Sequence, residues 1–543
     1  MSSPRGSSSS ARPAQVVERL QKVAGATAIV MAGVVASRVV GMVRDMVITA
    51  QFGVGRELDV YLAANRVPDT VFQVLAGGAV GAAFIPVFTG YMARGEREEA
   101  WKVASSLMNL AVAAMAPIAL ALALLADFLM MVLVPGWDAP SRATAANLAR
   151  IMLAAPAIFA VSTLATSVLN AQHRFALAAA APLMYNLSII GGAIILRPLG
   201  TYGLAVGVVV GALLHLLVQV PGLLRVGLRY SWSLSLRHPG VREVIRLTGP
   251  RVLTLGVAQI NLLVNLMLAS FLGEGAVAAL NYAWILVMVP LGVFAMATST
   301  ALFPTMAEEG AQRRYRELAE LTSLGLRLIL FLTVPASVGL VLLATPLIRV
   351  LFERGLFTSE STAALAFALA LYAPGLAGHA AVEVLNRGFY ALHDTRTPLQ
   401  VAAVAAAANI ALGVVLMQTP LTYGGLALAN SLAALLEAGL LLSLLTHRLG
   451  ASLRPGALLG PLARVAVAAT AMGLAMAPVA RRMTVAEVAT PVQAVMVVAT
   501  AGAGAALYLA LATLLRSREA GLLWQLARHA GGSWRDVPSP PEA

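Results

Sequence analysis

Val103–Asp127 reads VASSLMNLAVAAMAPIALALALLAD, and it holds no Lys, Arg or Glu. At about 1.5 Å per residue, a helix of this length exceeds the roughly 30 Å hydrocarbon core of a bilayer. Val401–Met417, VAAVAAAANIALGVVLM, repeats the pattern without a charge. Such windows mark membrane-spanning helices. The whole chain agrees, being 59% hydrophobic and 12% charged over 543 residues, about half the charged share of an ordinary soluble domain.

Working outward, apolar windows separated by polar turns give about fourteen helices at roughly 20 residues each, with cores starting near Ala24, Pro68, Val103, Ala145, Ala178, Tyr202, Ile245, Val277, Leu321, Thr362, Pro398, Tyr423, Pro461 and Val488. The expected fold is therefore an all-α polytopic membrane protein. Alternate loops carry the basic residues: Arg94, Arg97 and Lys102; Arg174; Arg225 to Arg242; Arg313, Arg314 and Arg316; Arg387 and Arg396; Arg448 and Arg454. The positive-inside rule makes these loops cytoplasmic and, with an even helix count, both termini as well. It also accounts for the net charge of +13 without nucleic acid as a partner. Residues 1–23 read as a polar cytoplasmic tail and not as a cleaved signal, because no apolar core follows the first basic residues.

Three landmarks recur. Ala83–Pro86, AFIP, returns as Ala301–Pro304, ALFP; Ala155-Pro156 returns as Ala373-Pro374; and Leu169-Asn170 with Pro182 returns as Leu385-Asn386 with Pro398, at offsets of 218, 218 and 216 residues. A near-constant offset across six helices preserves in/out polarity, so it predicts two six-helix lobes, 24–228 and 229–450, related by a pseudo-twofold axis along the membrane normal, with a binding cavity between them. Two further helices, 451–515, fall outside the repeat, and 516–543 forms a second cytoplasmic tail.

Ionisable residues inside spans are the candidate site. Arg38 lies about 21 Å along a helix entered at Ala24, at a depth where a charge costs about 2.5–3.5 kcal/mol and so faces a wet interior rather than lipid. Its planar fork suits a diphosphate; the structural alternative is pairing with a carboxylate. Arg44, six residues on, either joins it or snorkels to the interface, with Asp45 as the local partner. Gly77, Gly78 and Gly81 serve either close packing or a hinge. Arg387–Pro398, RGFYALHDTRTP, reads as a solvated turn or as a headgroup contact. Glu383 lines a polar cavity or neutralises Arg387 at i+4. No Walker loop, paired-His zinc motif or paired acidic motif occurs, and there is no Cys. The chain is accordingly read as a non-enzyme without cofactor or metal.

Ser37–Asp45, Phe52-Gly53 with Asp59, Phe84–Pro86 and Arg387–Pro398 together resemble the MurJ/MviN lipid II flippases of the MATE-like exporter superfamily. The resemblance implies two lobes around a cationic cavity, two C-terminal helices forming a groove for an undecaprenyl tail, and transport of lipid II by alternating access across the bacterial inner membrane in peptidoglycan synthesis. It carries substrate-binding roles onto Arg38, Arg44 and Asp59, while Arg66 occupies a position basic in some relatives. It implies membrane lipids and cell-wall synthesis proteins as partners. The chain departs from the pattern at Phe72, Gln73 and Trp284-Ile285, where relatives often carry arginine. Those departures keep open a paralogue moving another polyprenyl-diphosphate-linked saccharide, a MATE-like small-molecule antiporter and a non-transporting cell-wall scaffold.

Overall fold

The computed structural model describes residues 11–75, 79–450, 455–485 and 490–521. Its contacts group the chain into two units, Met1–Glu274 and Gly275–Ala543. The first contains α1 (Ala11–Phe52), α2 (Arg56–Leu75), α3 (Ala79–Ala93), α4 (Arg97–Leu124), α5 (Ala126–Leu133), α6 (Ala139–Met152), α7 (Ala155–Ala171), α8 (Phe175–Ile195), α9 (Thr201–Leu217), α10 (Val220–Arg225) and α11 (Pro239–Ala269). The second contains α12 (Ala276–Pro290), which runs through a π-helical segment (Leu291–Met296) into α13 (Ala297–Ala311), then α14 (Tyr315–Phe352), α15 (Ser359–Tyr372), α16 (Gly375–Ala391), α17 (Arg396–Leu416), α18 (Tyr423–Leu449), α19 (Pro455–Val485) and α20 (Thr490–Leu514). Among the described residues there is no strand.

Ten helical stretches are long and apolar enough to cross a bilayer, or eleven if the bent pair α15–α16 is one span. The expected count of about fourteen needs α1, the α2–α3 pair and α11 as well. Parts of α1, of the α2–α3 pair and of α11 lie outside the residues whose side chains are described, and α2 carries Arg56, Glu57, Asp59, Arg66 and Asp69. Outward-facing Leu124, Ile195, Leu474, Val495, Val498 and Leu514 are more than half exposed, a surface that water disfavours and lipid does not. The protein is a multi-pass membrane protein.

Three boundaries differ from the expectations. Pro68 lies inside α2 and not at a helix start, and Asp59 is a fully buried residue of its first turn rather than a loop residue. The grouping by contacts divides the chain after Glu274 and not at 228/229: α11, which the offset makes the second repeat's counterpart of α1, packs on α2 and α3 of the first unit. In the repeat itself, Pro86 and Pro304 sit inside α3 and α13, and each copy breaks at its Ala-Pro pair, between α6 and α7 and between α15 and α16. The third landmark is displaced. Helices α7 and α16 both end two residues before a left-handed histidine, His173 (φ 56°) and His393 (φ 56°), an offset of 220, so Leu385-Asn386 falls one turn short of the position equivalent to Leu169-Asn170.

In the first unit, Phe84, Phe88, Trp101, Leu164, Val168 and Val241 form a core shared by α3, α4, α7 and α11. In the second, Phe331, Val465, Ala469, Met472, Tyr508 and Ala512 join α14 to α19 and α20. The Tyr508 hydroxyl donates to the Phe331 carbonyl at 2.8 Å, and Arg327 faces the buried Glu519 at 3.7 Å. The two helices beyond the repeat are thus integral to that unit's packing.

Candidate functional site

Helix α1 presents two different faces around its arginines. At 100° per residue, Val35, Val39 and Val43 form one exposed apolar stripe, whereas Arg38 lies on the stripe of Asp45 and Thr49, which are buried. The exposed Arg38 stands on that line where it passes from exposed Met31 and Val34, within about 40° of it, to buried Asp45 and Thr49. Among the described residues it has no carboxylate or hydrogen-bond partner.

Arg44 is held. Its Nε and Nη2 donate to one oxygen of Asp45, Oδ1, at 3.0 and 2.8 Å, and its Nη1 donates to Asn186 Oδ1 on α8 at 3.0 Å. The Asn186 amide nitrogen in turn donates to the Pro182 carbonyl at 3.0 Å, which fixes the acceptor. The pairing with Asp45 is the structural alternative weighed for this residue. It leaves two of the five guanidinium N–H bonds unused, and the Arg44 side chain retains 26% exposure, so a further anion can still be accepted. Tyr61 on α2 and Tyr185 on α8 lie close by. Arg38 and Arg44 do not share a face; they stand about 9 Å apart along α1 and about 120° apart around it.

Arg66 on α2 approaches Asp69, one turn on, at a loose 3.8 Å, with Gln73 within reach of the same carboxylate. Phe72 tilts against Phe159 at 5.1 Å, so an aromatic contact occupies this position. Gly77 and Gly78 fall outside the described residues. Gly81 is a close-packing glycine: a Cβ there would come within 2.7 Å of Ser167 Oγ on α7.

In the second unit, Glu383 sits mid-way along α16 with Arg387 as its electrostatic partner, and Arg387 covers the Phe303 ring at 5.2 Å. Glu437 on α18 faces the same region. The stretch from Arg387 to Pro398 is only partly a turn. Asp394 accepts from the backbone N–H groups of Arg396 and Thr397 at 2.9 and 3.0 Å, from Thr397 Oγ1 at 2.6 Å, and from Arg448 on α18. Arg448 also lies 5.5 Å above the Phe389 ring. The motif ties α16, α17 and α18 together. Burial opposes ionisation of Asp394, but the hydrogen bonds from Thr397 and Arg396 and the Arg448 charge outweigh it and hold the carboxyl below the usual range.

Sequence reasoning missed Asn186, Asp69, Tyr61, Tyr185 and Glu437. Asp69 was findable at i+3 from Arg66, and Asn186 as a lone amide within the apolar run of α8. The two tyrosines carry no signal in sequence, because aromatic rings are as common in packed cores as in sites.

Apolar helices throughout and arginines within the apolar run of α1 define a membrane transport protein of all-helical carrier fold. Residues 48–490 match the family described as Lipid II flippase MurJ. A probable lipid II flippase MurJ of Haemophilus influenzae is 33% identical over 430 residues, covering 75% of this chain and 82% of the relative. A lipid II flippase MurJ of Burkholderia cenocepacia is 32% identical over 375 residues, covering 67% and 73%. The chain belongs to the lipid II flippase MurJ family. Its fold matches the solved structure titled lipid II flippase MurJ, inward closed conformation, with a TM-score of 0.71 at 24% identity, covering 89% of this chain and 98% of that one. It also matches an inward-facing multidrug resistance MATE family transporter of the MOP superfamily, with a TM-score of 0.64 at 17% identity, covering 76% and 95%.

Proposed function

We propose that this chain moves lipid II from the inner to the outer leaflet of the bacterial cytoplasmic membrane by alternating access, with both termini cytoplasmic, as a step of peptidoglycan synthesis. The observation that carries the reading is Arg38: in a chain of this family, an uncompensated guanidinium inside a span needs an anion, and a diphosphate supplies two acceptor groups for its fork. Arg44, preset by Asp45 and Asn186, supports the same headgroup with its remaining donors. The exposed apolar side chains of α19 and α20, Val467, Leu474, Val495 and Val498, support a role for these helices in carrying the polyprenyl tail.

The test is reconstitution of the purified chain in liposomes with fluorescent lipid II, scoring headgroup crossing by a membrane-impermeant quencher. Crossing above protein-free liposomes is expected, and none would overturn the reading. Phe72 and Ile285, apolar where the resemblance implies arginine, favour one second reading, a polyprenyl-diphosphate carrying another glycan. Faster crossing of such a lipid than of lipid II in the same liposomes would establish it.

A further inference from the structure

Trp284 on α12 is half-buried and stands among three helices of the second unit. Its ring centroid is 5.5 Å from that of Tyr372 at the end of α15 and 5.1 Å from that of His379 on α16, the histidine presented edge-on at 73°. His379 Nε2 is tied to Asn430 Oδ1 on α18 at 3.0 Å, which fixes the imidazole. Asn281, three residues before Trp284 and so on the same face of α12, is likewise half-buried. The Trp284 indole N–H, the Asn430 amide nitrogen and the Asn281 amide have no hydrogen-bond partner among the described residues, and none of them is closed off from the surface.

Counted along their helices, these groups lie about 8–12 Å from the nearer ends of their membrane-spanning stretches, inside the apolar layer, where unsatisfied donors facing lipid are costly. They therefore face water or a ligand. Seven residues after Trp284, on the same side of the rod, the helix passes into the π-helical segment Leu291–Met296, a distortion frequent at functional positions. Glu383, one turn along α16 from His379, adds an acceptor on that helix face.

We infer that Trp284, Tyr372, His379, Asn430 and Asn281 form a platform that binds an uncharged saccharide, the sugar portion of the lipid-linked headgroup. A sugar ring offers polarised C–H bonds to the negative face of an indole, and its hydroxyl and acetamido groups match free amide and indole donors. A diphosphate does not fit, since the platform itself contains no Lys or Arg. The inference rests on the proposed lipid-linked saccharide cargo and places its sugar recognition on α12, α15, α16 and α18.

Binding of lipid II and of undecaprenyl diphosphate, which has the same tail and diphosphate but no sugar, is to be measured on the detergent-solubilised full chain by native mass spectrometry. Trp284→Leu is expected to weaken lipid II binding about five- to tenfold, the worth of one aromatic contact, with undecaprenyl diphosphate binding unchanged. Trp284→Phe should recover most of the loss. Asn430→Ala, which leaves the Trp284–Tyr372 contact in place, should weaken lipid II alone by a smaller factor and serves if Trp284→Leu loses its monodisperse size-exclusion profile. Equal weakening of both ligands, or of neither, overturns the platform. So does tighter, Trp284-dependent binding of tetraphenylphosphonium, because the cluster would then be a cation cage. Failure of the wild-type chain to bind or move lipid II strikes the proposed function instead, and the two failures are distinguishable.

Discussion

Arg38 and Arg44 share a helix and a charge, yet their removal should have opposite signatures. Arg44 neutralises Asp45, which is 6% exposed. Arg44→Ala leaves a buried carboxylate without its partner, a change that costs about 3–5 kcal/mol. The apparent Tm of the purified chain should fall by about 5 °C or more, and Asp45→Asn in the same background should restore most of it. Arg38 has no such partner, so Arg38→Ala should leave Tm within about 1 °C while lipid II crossing falls at least about tenfold, the effect of losing one charge-assisted contact. Heated size exclusion and the liposome assay read the two quantities separately. Loss of Tm in Arg38→Ala, or an unchanged Tm in Arg44→Ala, would contradict this division. Both arginines were legible in the sequence because a charge in an apolar run is conspicuous. What holds Arg44 was only half legible: Asp45 is adjacent, but Asn186 lies 142 residues away, and no local pattern connects them.

At the scale of elements, periodicity found the spans well and their ends poorly. A hydropathy reading starts a helix where the apolar run starts, so it placed the second helix at Pro68, whereas α2 begins at Arg56 with a charged first turn that such a reading passes over. The repeat was visible through Ala-Pro pairs that mark helix breaks in both units, while Leu-Asn pairs inside helices misled by one turn, since one turn of slip keeps the same helix face. Close approach between helices is where the sequence is most exacting. A Cβ on Gly378 of α16 would lie 2.7 Å from the Ala434 carbonyl carbon on α18, so Gly378→Val must separate the two helices. It should lower Tm and reduce membrane-extracted yield, whereas Gly439→Ala on α18, where a Cβ meets nothing within 4 Å, should not; comparison of the two by size exclusion checks the packing. Asp394 gives a pH-dependent counterpart. Its folded pKa lies below the unfolded value, so its contribution is present above about pH 4 and is lost as pH falls through the folded value. Asp394→Asn should therefore lower Tm at pH 7, and the gap from wild type should close as pH drops below 4. A gap constant with pH would mean that the carboxylate charge does not matter.

For the molecule as a whole, composition was enough to name the solvent, and the offset in the sequence pointed to Ala-Pro pairs that both lie at helix breaks. The division of contacts was not legible in either, because the packing of α11 on α2 and α3 depends on surfaces that only the folded chain brings together. The same whole-chain view fixes how an electric field should act. If the cargo is a polyprenyl diphosphate, its headgroup is anionic, and Arg38 belongs to a helix of the protein and does not leave with it. Net negative charge then crosses the membrane in each transfer. A unit charge crossing the full field is worth about 2.3 kcal/mol per 100 mV, roughly a fiftyfold bias in distribution. In a cell that is negative inside, outward movement of the headgroup is the favoured direction. Proteoliposomes given a potassium diffusion potential with valinomycin should accordingly accumulate lipid II headgroups in the leaflet on the positive side, and reversal of the gradient should reverse the asymmetry. Because the prediction concerns the final distribution and not the rate, it holds for either insertion orientation of the chain. A distribution indifferent to both polarities would show that the headgroup crosses with its charge fully compensated by a co-transported cation.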